Sequence, residues 1–285
     1  MNYRHAFHAG NFADVVKHAV LALIIERLKA KDAAFRIIDT HAGIGVYDLT
    51  ADEASRTGEW HEGIGRLWGA ARPPALDELL APYLGAVAAA NGAGEPAPLV
   101  RYPGSPWIAR HLFRRQDRLT AVELHPEDAA ALEAEFAGDI QVRTIALDGW
   151  LALGAFIPPK ERRGLVLVDP PFEERDDFAT MLAAFETAYR KWPTGIYALW
   201  YPVKDLAAVD AFRVGLAQSG VRRLLRAELT VRDRDAGGTF NGTGLVICNP
   251  PWQFAATLKA LLSGLVPLLR QDDGAGFMLD EIAGE

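Results

Sequence analysis

A regular alternation of strand-like and helix-like segments is the feature that most constrains the fold of this 285-residue chain. Seven short runs are rich in apolar and β-branched residues: Phe35 to Thr40, Leu119 to Glu123, Ile140 to Leu147, Leu165 to Asp169, Gly195 to Trp200, Leu224 to Val231 and Thr243 to Cys248. Helical patterns fall between most of these runs, at 127–136, 178–191, 206–218 and 254–269. Such alternation predicts an α/β fold, in which helices cover both faces of a Rossmann-like, mostly parallel sheet.

The last two strands depart from this alternation. The polar link from Arg232 to Gly242 leaves no room for a crossover helix, which predicts an antiparallel hairpin. The sheet is therefore expected to contain seven strands, of which the last is antiparallel. A largely apolar helix is expected before the first strand, capped by Asn11 and running to about Lys29.

Two further segments are defined by length and composition. Residues 48–100 follow the first strand and are too many for a simple loop in a compact domain. They carry apolar positions of their own, including Trp60, Trp68 and Leu84. We therefore predict a Rossmann-like domain formed by 1–47 and 101–285, with a small helical subdomain, 48–100, inserted into it. After Gln271 the chain is acidic and contains glycine, which indicates a solvated extension.

Composition excludes several classes of protein. No apolar run approaches the ~18 residues that a membrane span requires, and the first residues do not resemble a signal peptide, so a soluble cytoplasmic protein is expected. The single cysteine, Cys248, excludes an intrachain disulfide and any multi-cysteine metal site. A net charge of -7 argues against a surface that attracts nucleic acid everywhere, so such binding would require a local basic patch.

The segment Asp169-Pro170-Pro171-Phe172 carries the strongest chemical signal, and it follows the apolar run that ends at Val168. The lone pair of an aromatic amine, such as N6 of adenine, is delocalised into the ring, so the nitrogen is a poor nucleophile until its hydrogens are accepted. The Asp169 carboxylate and the Pro170 carbonyl can accept them, while Phe172 offers a face on which the base can stack. Pro171 fixes φ and has no N–H that would compete. This order of residues predicts methylation of a planar exocyclic amine; an ordinary turn at the end of a strand is the alternative.

A second segment, Asn249-Pro250-Pro251-Trp252, has a similar order of residues. If the last strand is antiparallel, its carboxyl end lies at the opposite edge of the sheet from Asp169. Asn249 is therefore expected to be a structural copy without a chemical role.

Acidic residues and glycines follow the other predicted parallel strands. Ligands bind such sheets beyond the carboxyl ends of the strands. The first strand leads into a glycine-bearing turn, from Asp39 to Gly45, the second ends in Glu123, and the third is followed by Asp148-Gly149. Each residue alone is more often a helix cap or a turn residue. Together with Asp169 they favour a site for S-adenosylmethionine as methyl donor.

Two alternatives are kept beside this interpretation. A metal-dependent hydrolase would use His5, His8, His41 and Asp39 as ligands. However, the spacing of His5 and His8 is not the i, i+4 spacing of a helical metal site, and the segment from Asp169 to Phe172 would have no role. A nucleotide-binding module without enzymatic activity is the second alternative.

Three basic clusters are candidates for nucleic-acid contact, although each one alone is more often a solvated surface. Only clustering around Asp169 in space would make them functional. Their members are Arg110, Arg114, Arg115 and Arg118; Lys160, Arg162 and Arg163; and Arg222, Arg223 and Arg226.

Motifs spread over nearly the whole chain resemble one known family. They are Tyr3 to Asn11 with Asp14, Lys17 and His18; Asp39 to Gly45; Tyr102 to Pro106; Glu123 to Pro126; Asp148-Gly149; Asp169 to Phe172; Gly195 to Val203; and Asn249 to Trp252. In these motifs the chain resembles the large-subunit ribosomal RNA adenine-N6 methyltransferase J family, whose members modify adenine 2030 of 23S rRNA. The opening motif is the most specific of them.

The resemblance implies a class I S-adenosylmethionine-dependent methyltransferase that acts as a monomer on 23S rRNA, without a metal and without an obligatory protein partner. Its target adenine is expected to be unpaired or flipped out of a helix. The resemblance also implies roles for individual residues. Asp169 is the catalytic acceptor, aided by Pro170 and Phe172, and Tyr3 contacts the RNA; Lys17 is a lower-ranked contact for the donor's carboxylate. The expected S-adenosylmethionine contacts are His18, His41, Ser105, Glu123, Asp148, Gly149 and Asp169. Position 172 is Phe where the family commonly has Tyr, which keeps the stacking face but loses a hydroxyl.

Overall fold

The computed structural model describes residues 5–92, 98–174, 176–235 and 240–284. Within these ranges the strands are β1 (Arg36–Asp39), β2 (Val46–Asp48), β3 (Arg101–Pro103), β4 (Arg118–Glu123), β5 (Val142–Ala146), β6 (Gly164–Val168), β7 (Ile196–Val203), β8 (Leu224–Thr230), β9 (Gly242–Cys248) and β10 (Gly276–Ala283). The helices are α1 (Phe12–Lys29), α2 (Asp52–Thr57), α3 (Ile64–Leu67), α4 (Pro74–Asn91), α5 (Ser105–Leu112), α6 (Pro126–Glu135), α7 (Gly149–Ala155), α8 (Asp177–Lys191), α9 (Leu206–Gln218) and α10 (Phe254–Leu269), with short 3₁₀ helices at His5–Phe7 and Glu59–Glu62.

The main sheet has the strand order β10-β8-β9-β7-β6-β1-β4-β5. The strands from β7 to β5 in this order are parallel to one another, and β9 runs antiparallel to both β7 and β8. The predicted α/β fold, with its mostly parallel sheet and its antiparallel hairpin, is therefore confirmed. We call the side of the sheet where the parallel strands end the carboxyl edge, and the side where they begin the amino edge.

The sheet has an eighth strand that the sequence analysis did not predict. The prediction of a solvated extension after Gln271 is wrong, because β10 pairs antiparallel with β8. Alternating side chains explain the pairing: Phe277 and Leu279 pack against the core, while Asp280 accepts a hydrogen bond from Arg226 Nε at 2.7 Å. The acidic residues of this segment thus include an ion-pair partner for a buried arginine.

The segment between β2 and β3 is largely helical and contains α2, α3 and α4. Its ends are joined by antiparallel pairing of β2 with β3, in which Tyr47 lies opposite Tyr102. Leu80 and Tyr83 of α4 are buried in the same core as Val16 of α1. The division into a main domain and an inserted subdomain remains a prediction.

Helix α1 is buried along most of its length and carries polar side chains to the carboxyl edge. Its predicted cap is confirmed, because the Asn11 side-chain oxygen accepts hydrogen bonds from the N–H groups of Ala13 and Asp14, each at 3.0 Å. The buried polar residues of this helix are Asp14, Lys17 and His18. In the described part of the chain, no helix combines the length and apolar character needed to cross a membrane.

Candidate active site

A cavity of about 540 Å³ opens at the carboxyl edge. It brings together every described residue that was assigned from the sequence to the donor or to catalysis: Lys17, His18, His41, Ser105, Glu123, Asp148, Gly149, Asp169, Pro170 and Phe172. Tyr3, the predicted RNA contact, lies outside the described residues. The loops after β1, β4 and β5 form one side of this cavity, and the segments after β6 and β7 form the other.

Glu123 is a buried carboxylate at the end of β4. Its two oxygens accept hydrogen bonds from the backbone N–H groups of Gly43, at 2.8 Å, and His125, at 2.9 Å. Gly43 has a φ of +61°, and a Cβ at this position would lie 2.1 Å from the Tyr47 hydroxyl oxygen. Glycine therefore allows the turn after β1 to approach Glu123, whose position suits hydrogen bonding to vicinal ribose hydroxyls.

Asp148 and Gly149 begin helix α7 beside the end of β1. The Asp148 side chain caps the helix by accepting a hydrogen bond from the Trp150 N–H at 2.9 Å. A Cβ on Gly149 would lie 2.2 Å from the Thr40 carbonyl oxygen and 2.7 Å from the His41 ring. Burial lowers the pKa of His41 to about 3, so this ring is neutral near pH 7.

Ser105 and Asp39 form a buried pair next to the cavity. Ser105 Oγ donates a hydrogen bond to Asp39 Oδ2 at 2.6 Å. Asp39 Oδ1 is also buried and has no hydrogen-bond partner among the described residues. Burial raises the pKa of Asp39 to about 7, although the hydrogen bond from Ser105 opposes this shift. Ser105 is thus fixed by a residue that can be protonated near neutral pH.

Lys17 forms a buried ionic bridge between α1 and the end of β6. Its Nζ lies 2.8 Å from Asp14 Oδ1 and 2.5 Å from Asp169 Oδ2, and 5.3 Å from the centre of the Trp200 ring. Burial alone would lower the pKa of Lys17, but the two carboxylates raise it instead. This amine was predicted to contact the donor's carboxylate, whereas in the structure it holds Asp169.

Asp14 is the other carboxylate of this bridge. Its Oδ2 accepts hydrogen bonds from the Gly10 N–H and from His5 Nε2, both at 2.9 Å. Burial would raise the pKa of Asp14, but the charges of His5 and Lys17 hold it well below its ordinary value. Asp14 therefore joins the segment before α1 to the ionic bridge.

His18 lies one residue further along α1 in a buried hydrogen-bonded chain. Its Nδ1 is 2.8 Å from the Tyr102 hydroxyl, which is 3.1 Å from the Tyr83 hydroxyl. Burial lowers the pKa of His18 to about 3. A neutral His18 ring thus reaches the cavity wall while α4 and β3 support it from behind.

The residues after β6 form an aromatic surface on the other side of the cavity. Phe172 has a φ of +51°, and its ring centre lies 4.7 Å from that of Phe178 and 5.7 Å from that of Trp200. Trp200 is itself fixed, because its Nε1 donates a hydrogen bond to Thr243 Oγ1 at 2.7 Å. Phe172, Trp200 and Asp169 all line the cavity, so a planar base can stack on an aromatic surface beside the carboxylate.

Asn249 lies at the amino edge, as predicted. The preceding residue, Cys248, pairs with Tyr197 near the start of β7. The Asn249 side-chain amide donates hydrogen bonds to the carbonyl oxygens of Pro193 and Gly195, each at 2.8 Å. These bonds close the turn between α8 and β7, which is a structural use of the amide.

The three basic clusters do not gather around Asp169, and none of their members lines its cavity. Arg110 pairs with Asp139 and Arg114 with Asp117, while Arg226 is buried between Asp280 and Glu228. Arg118 and Lys160 instead line a second cavity, of about 420 Å³, at the amino edge. These clusters therefore supply no basic surface to the carboxyl edge.

The residues proposed as metal ligands for the hydrolase alternative each contact a different side chain. His5 meets Asp14, His8 meets Glu59, and Asp39 meets Ser105. Across residues 5–92, 98–174, 176–235 and 240–284, no group of three or more His, Cys, Asp or Glu side chains is arranged to hold a metal ion.

Comparison with known proteins identifies the family. The family model described as "Ribosomal RNA large subunit methyltransferase D, RlmJ" matches residues 32–278. The chain belongs to this family. It is 42% identical over its whole length to "Ribosomal RNA large subunit methyltransferase J" of Haemophilus influenzae, covering 100% of both chains. It is 44% identical to the protein of the same name from Escherichia coli, covering 94% of this chain and 95% of that one. A crystal structure of a Legionella pneumophila protein superimposes with a TM-score of 0.85 at 32% identity, covering 96% of this chain and 98% of the other.

Several residues that line the cavity were not singled out as functional from the sequence, among them Asp14, Trp200, Lys204 and Phe240. Asp14 was named only as part of the opening motif, and Trp200 only within a predicted strand and the motif that contains it. Lys204 is an isolated basic residue, so it did not form a cluster in the sequence. Their placement depends on strand order, which brings residues distant in the chain to one edge.

Proposed function

We propose that this chain transfers a methyl group from S-adenosylmethionine to N6 of an adenine in large-subunit ribosomal RNA. The observation that carries the proposal is that the segment from Asp169 to Phe172 lines one cavity with Glu123 and Asp148. Membership in a ribosomal RNA methyltransferase family supports the reaction class. The chemistry of the site supports adenine as the target base. The family resemblance supports position 2030 of 23S rRNA as its place in the RNA.

The donor-binding assignment rests on the fit of the residues to the molecule. Glu123 suits the ribose hydroxyls, Asp148 suits hydrogen bonding to the adenine edge, and His18, His41, Ser105 and Gly149 complete the wall. When bound, S-adenosylmethionine supplies an electrophilic methyl group. Asp169 would contact both the donor and the target base.

The chain's own residues activate the amine. Lys17 occupies Asp169 Oδ2, which leaves Oδ1 to accept one N6 hydrogen, and the Pro170 carbonyl accepts the other. The nitrogen lone pair is then directed at the methyl carbon, and the proton lost from N6 passes to Asp169. Phe172 and Trp200 hold the ring, so most of the rate gain comes from positioning two reactants.

The target adenine must leave its stack to reach this site. An N6 atom inside a regular helix cannot approach Asp169, whose side chain is only 12% exposed, so a loop or an irregular helix is the expected substrate. Tyr3, in the segment before α1, is proposed to contact the RNA.

The decisive experiment measures methyl transfer from labelled S-adenosylmethionine to total RNA, protein-free ribosomal RNA, intact subunits and DNA. We expect label in large-subunit ribosomal RNA, and digestion should recover it as N6-methyladenosine at one position. Label in DNA alone, or on another base, would contradict the proposal.

The two alternatives are tested with the same preparation. A stoichiometric metal content in the purified protein would favour the hydrolase. Donor binding without transfer to any RNA would favour a nucleotide-binding module. Methylated RNA from metal-free protein would exclude both.

A further inference from the structure

The cavity at the carboxyl edge is strongly acidic for a site that receives RNA. Glu59, Asp128, Glu173, Glu174 and Asp177 line it in addition to Asp14, Glu123, Asp148 and Asp169. Among the described residues, Lys17 and Lys204 are the only Lys or Arg side chains of the lining. Since Lys17 is bound between Asp14 and Asp169, Lys204 is the lining cation that remains for a phosphate.

Lys204 stands on the substrate side of the cavity. It directly follows β7, and β7 is the neighbour of β6, whose end bears Asp169. The candidate donor residues Glu123 and Asp148 lie beyond β1, on the other side of β6. A phosphate at Lys204 would therefore belong to the RNA strand and not to the donor, which carries none.

Strand register brings a second cation to the same edge. Val203 of β7 and Thr230 of β8 both pair with Gly242 of β9. Lys204 follows the first of these residues directly, and Arg232 follows the second after one intervening residue. Because two strand spacings separate β7 from β8, the two backbones lie roughly 10 Å apart. Both side chains are exposed.

Arg232 is carried by a fixed segment of chain. Glu228, which is buried in β8, accepts a hydrogen bond from the Tyr201 hydroxyl at 2.8 Å, and Arg234 Nη2 reaches its other oxygen at 3.2 Å. This contact holds the chain that leaves β8 against the sheet. On the other side, Asp205 is used as the cap of α9, where it accepts hydrogen bonds from backbone N–H groups.

We propose that Lys204 and Arg232 form a phosphate-binding rim that holds the RNA strand flanking the target adenine. This inference rests on the proposed function. The rim compensates for the acidic cavity and for the net charge of -7, because it concentrates positive charge where the backbone enters. Its ligand is the phosphodiester backbone, so it contributes affinity and orientation and does not read the base.

The test compares Lys204→Ala, Arg232→Ala and the double variant with wild type, using protein-free large-subunit ribosomal RNA. In the double variant we expect the KM for RNA to rise about tenfold or more at moderate salt, while kcat and the KM for S-adenosylmethionine change little. The dependence of log KM on log salt should weaken by about 1.4, since each single-strand phosphate contact contributes about 0.7. Lys204→Arg should restore most of the RNA affinity.

The matched control is Arg115→Ala with Lys160→Ala, which removes two exposed charges at the amino edge. This variant changes the net charge equally and is expected to keep the wild-type KM and salt slope. Provided that wild type methylates RNA, two results would refute the rim. One is that the Lys204 and Arg232 variants keep the wild-type KM for RNA and salt slope, and the other is that the control variant shifts both quantities by the same amount. Failure of the proposed function is recognised separately, as absence of label transfer by wild type, and it would overturn the rim as well.

Discussion

At the scale of single residues, the carboxylate of Asp169, which we propose as catalytic, is fixed before any substrate arrives. Asp169 is held through one oxygen by Lys17, which is held in turn by Asp14. This arrangement leaves the other oxygen of Asp169 with a defined direction, which favours hydrogen bonding to an amine in a single orientation.

Replacing Asp169 with Ala should reduce methyl transfer by at least about 100-fold, because the amine loses its acceptor. Binding of S-adenosylmethionine, measured by calorimetry, should persist. Asp169→Asn, which keeps the shape of the side chain, should also lose activity and serves as a check on folding. Near-normal turnover by either variant would contradict the assignment.

Asn249→Ala is the control in the look-alike segment. It removes two hydrogen bonds to backbone carbonyls and should lower the free energy of unfolding by about 1–2 kcal/mol. Turnover of the folded protein should remain close to wild type. Complete loss of activity in a folded Asn249→Ala protein would mean that the chemistry resides at the other edge of the sheet.

Asp39 links protonation to stability. Its folded-state pKa, about 7, is above the ordinary 3.8, so its favourable contribution is complete below about pH 4 and is lost as the pH rises to 7. Asp39→Asn removes this loss. The variant should therefore gain stability relative to wild type between pH 5 and pH 8, by on the order of 2 kcal/mol, since one pKa unit corresponds to about 1.4 kcal/mol. Urea unfolding of both proteins at pH 5 and pH 8 measures this gain in the free energy of unfolding. The same difference between variant and wild type at both pH values would contradict the prediction.

At the scale of elements, the cavity depends on how closely α7 approaches the end of β1. Gly149 permits this approach, because any Cβ would overlap the Thr40 carbonyl. Backbone carbonyls cannot move aside as a flexible side chain can, so the helix itself would have to shift.

Gly149→Ala should therefore displace the start of α7, lower stability by about 1–3 kcal/mol and weaken S-adenosylmethionine binding. Gly154→Ala in the same helix is the matched control, because the nearest atom to its added Cβ is Lys191 Nζ at 3.9 Å. Thermal unfolding and donor titration distinguish the two positions. Equal effects at both would show that close packing at Gly149 is unimportant.

At the scale of the whole molecule, the two edges of the sheet have separate uses. The carboxyl edge contains the cavity, the ionic bridge and the aromatic surface. The amino edge contains the predicted basic clusters and Asn249, whose side chains bond largely to nearby carbonyls and carboxylates. An acidic protein can act on RNA in this arrangement because only the entry to one cavity needs positive charge.

The helical segment 48–100 shares its core with the sheet domain through the contact of α4 with α1. We therefore expect the whole chain to unfold in one cooperative transition by differential scanning calorimetry. Two resolved transitions, or a separately stable fragment 48–100, would instead show that the insertion is an independent folding unit.

Strands with long apolar runs and helices with clear periodicity could be predicted from the sequence, because their local patterns and their tertiary environment agree. The antiparallel hairpin was predicted from the length of one link. It correctly placed Asn249 at the edge of the sheet opposite to the edge that bears Asp169. Strands β2 and β3 were missed because three residues carry no readable period. Strand β10 was missed because its acidic residues concealed the alternating Phe277 and Leu279.

The composition of the cavity was predicted better than its connections. The predicted topology placed the residues at the ends of the parallel strands in one site. The contact between Lys17 and Asp169 could not be predicted, because it joins residues 152 positions apart and depends on the orientation of α1 across the sheet. Lys204 and Arg232 were missed for the same reason, since only strand register makes them neighbours.

The long separation between Lys17 and Asp169 also bears on how the protein matures during translation. Lys17 and Asp14 are synthesised early, whereas Asp169, which supplies the second carboxylate of the bridge, is synthesised only after β6. The complete bridge can form only after β6 has been synthesised and added to the sheet. We therefore expect the nascent chain to leave α1 incompletely docked until late in synthesis, so that a ribosome-bound fragment ending before β6 has no assembled active site.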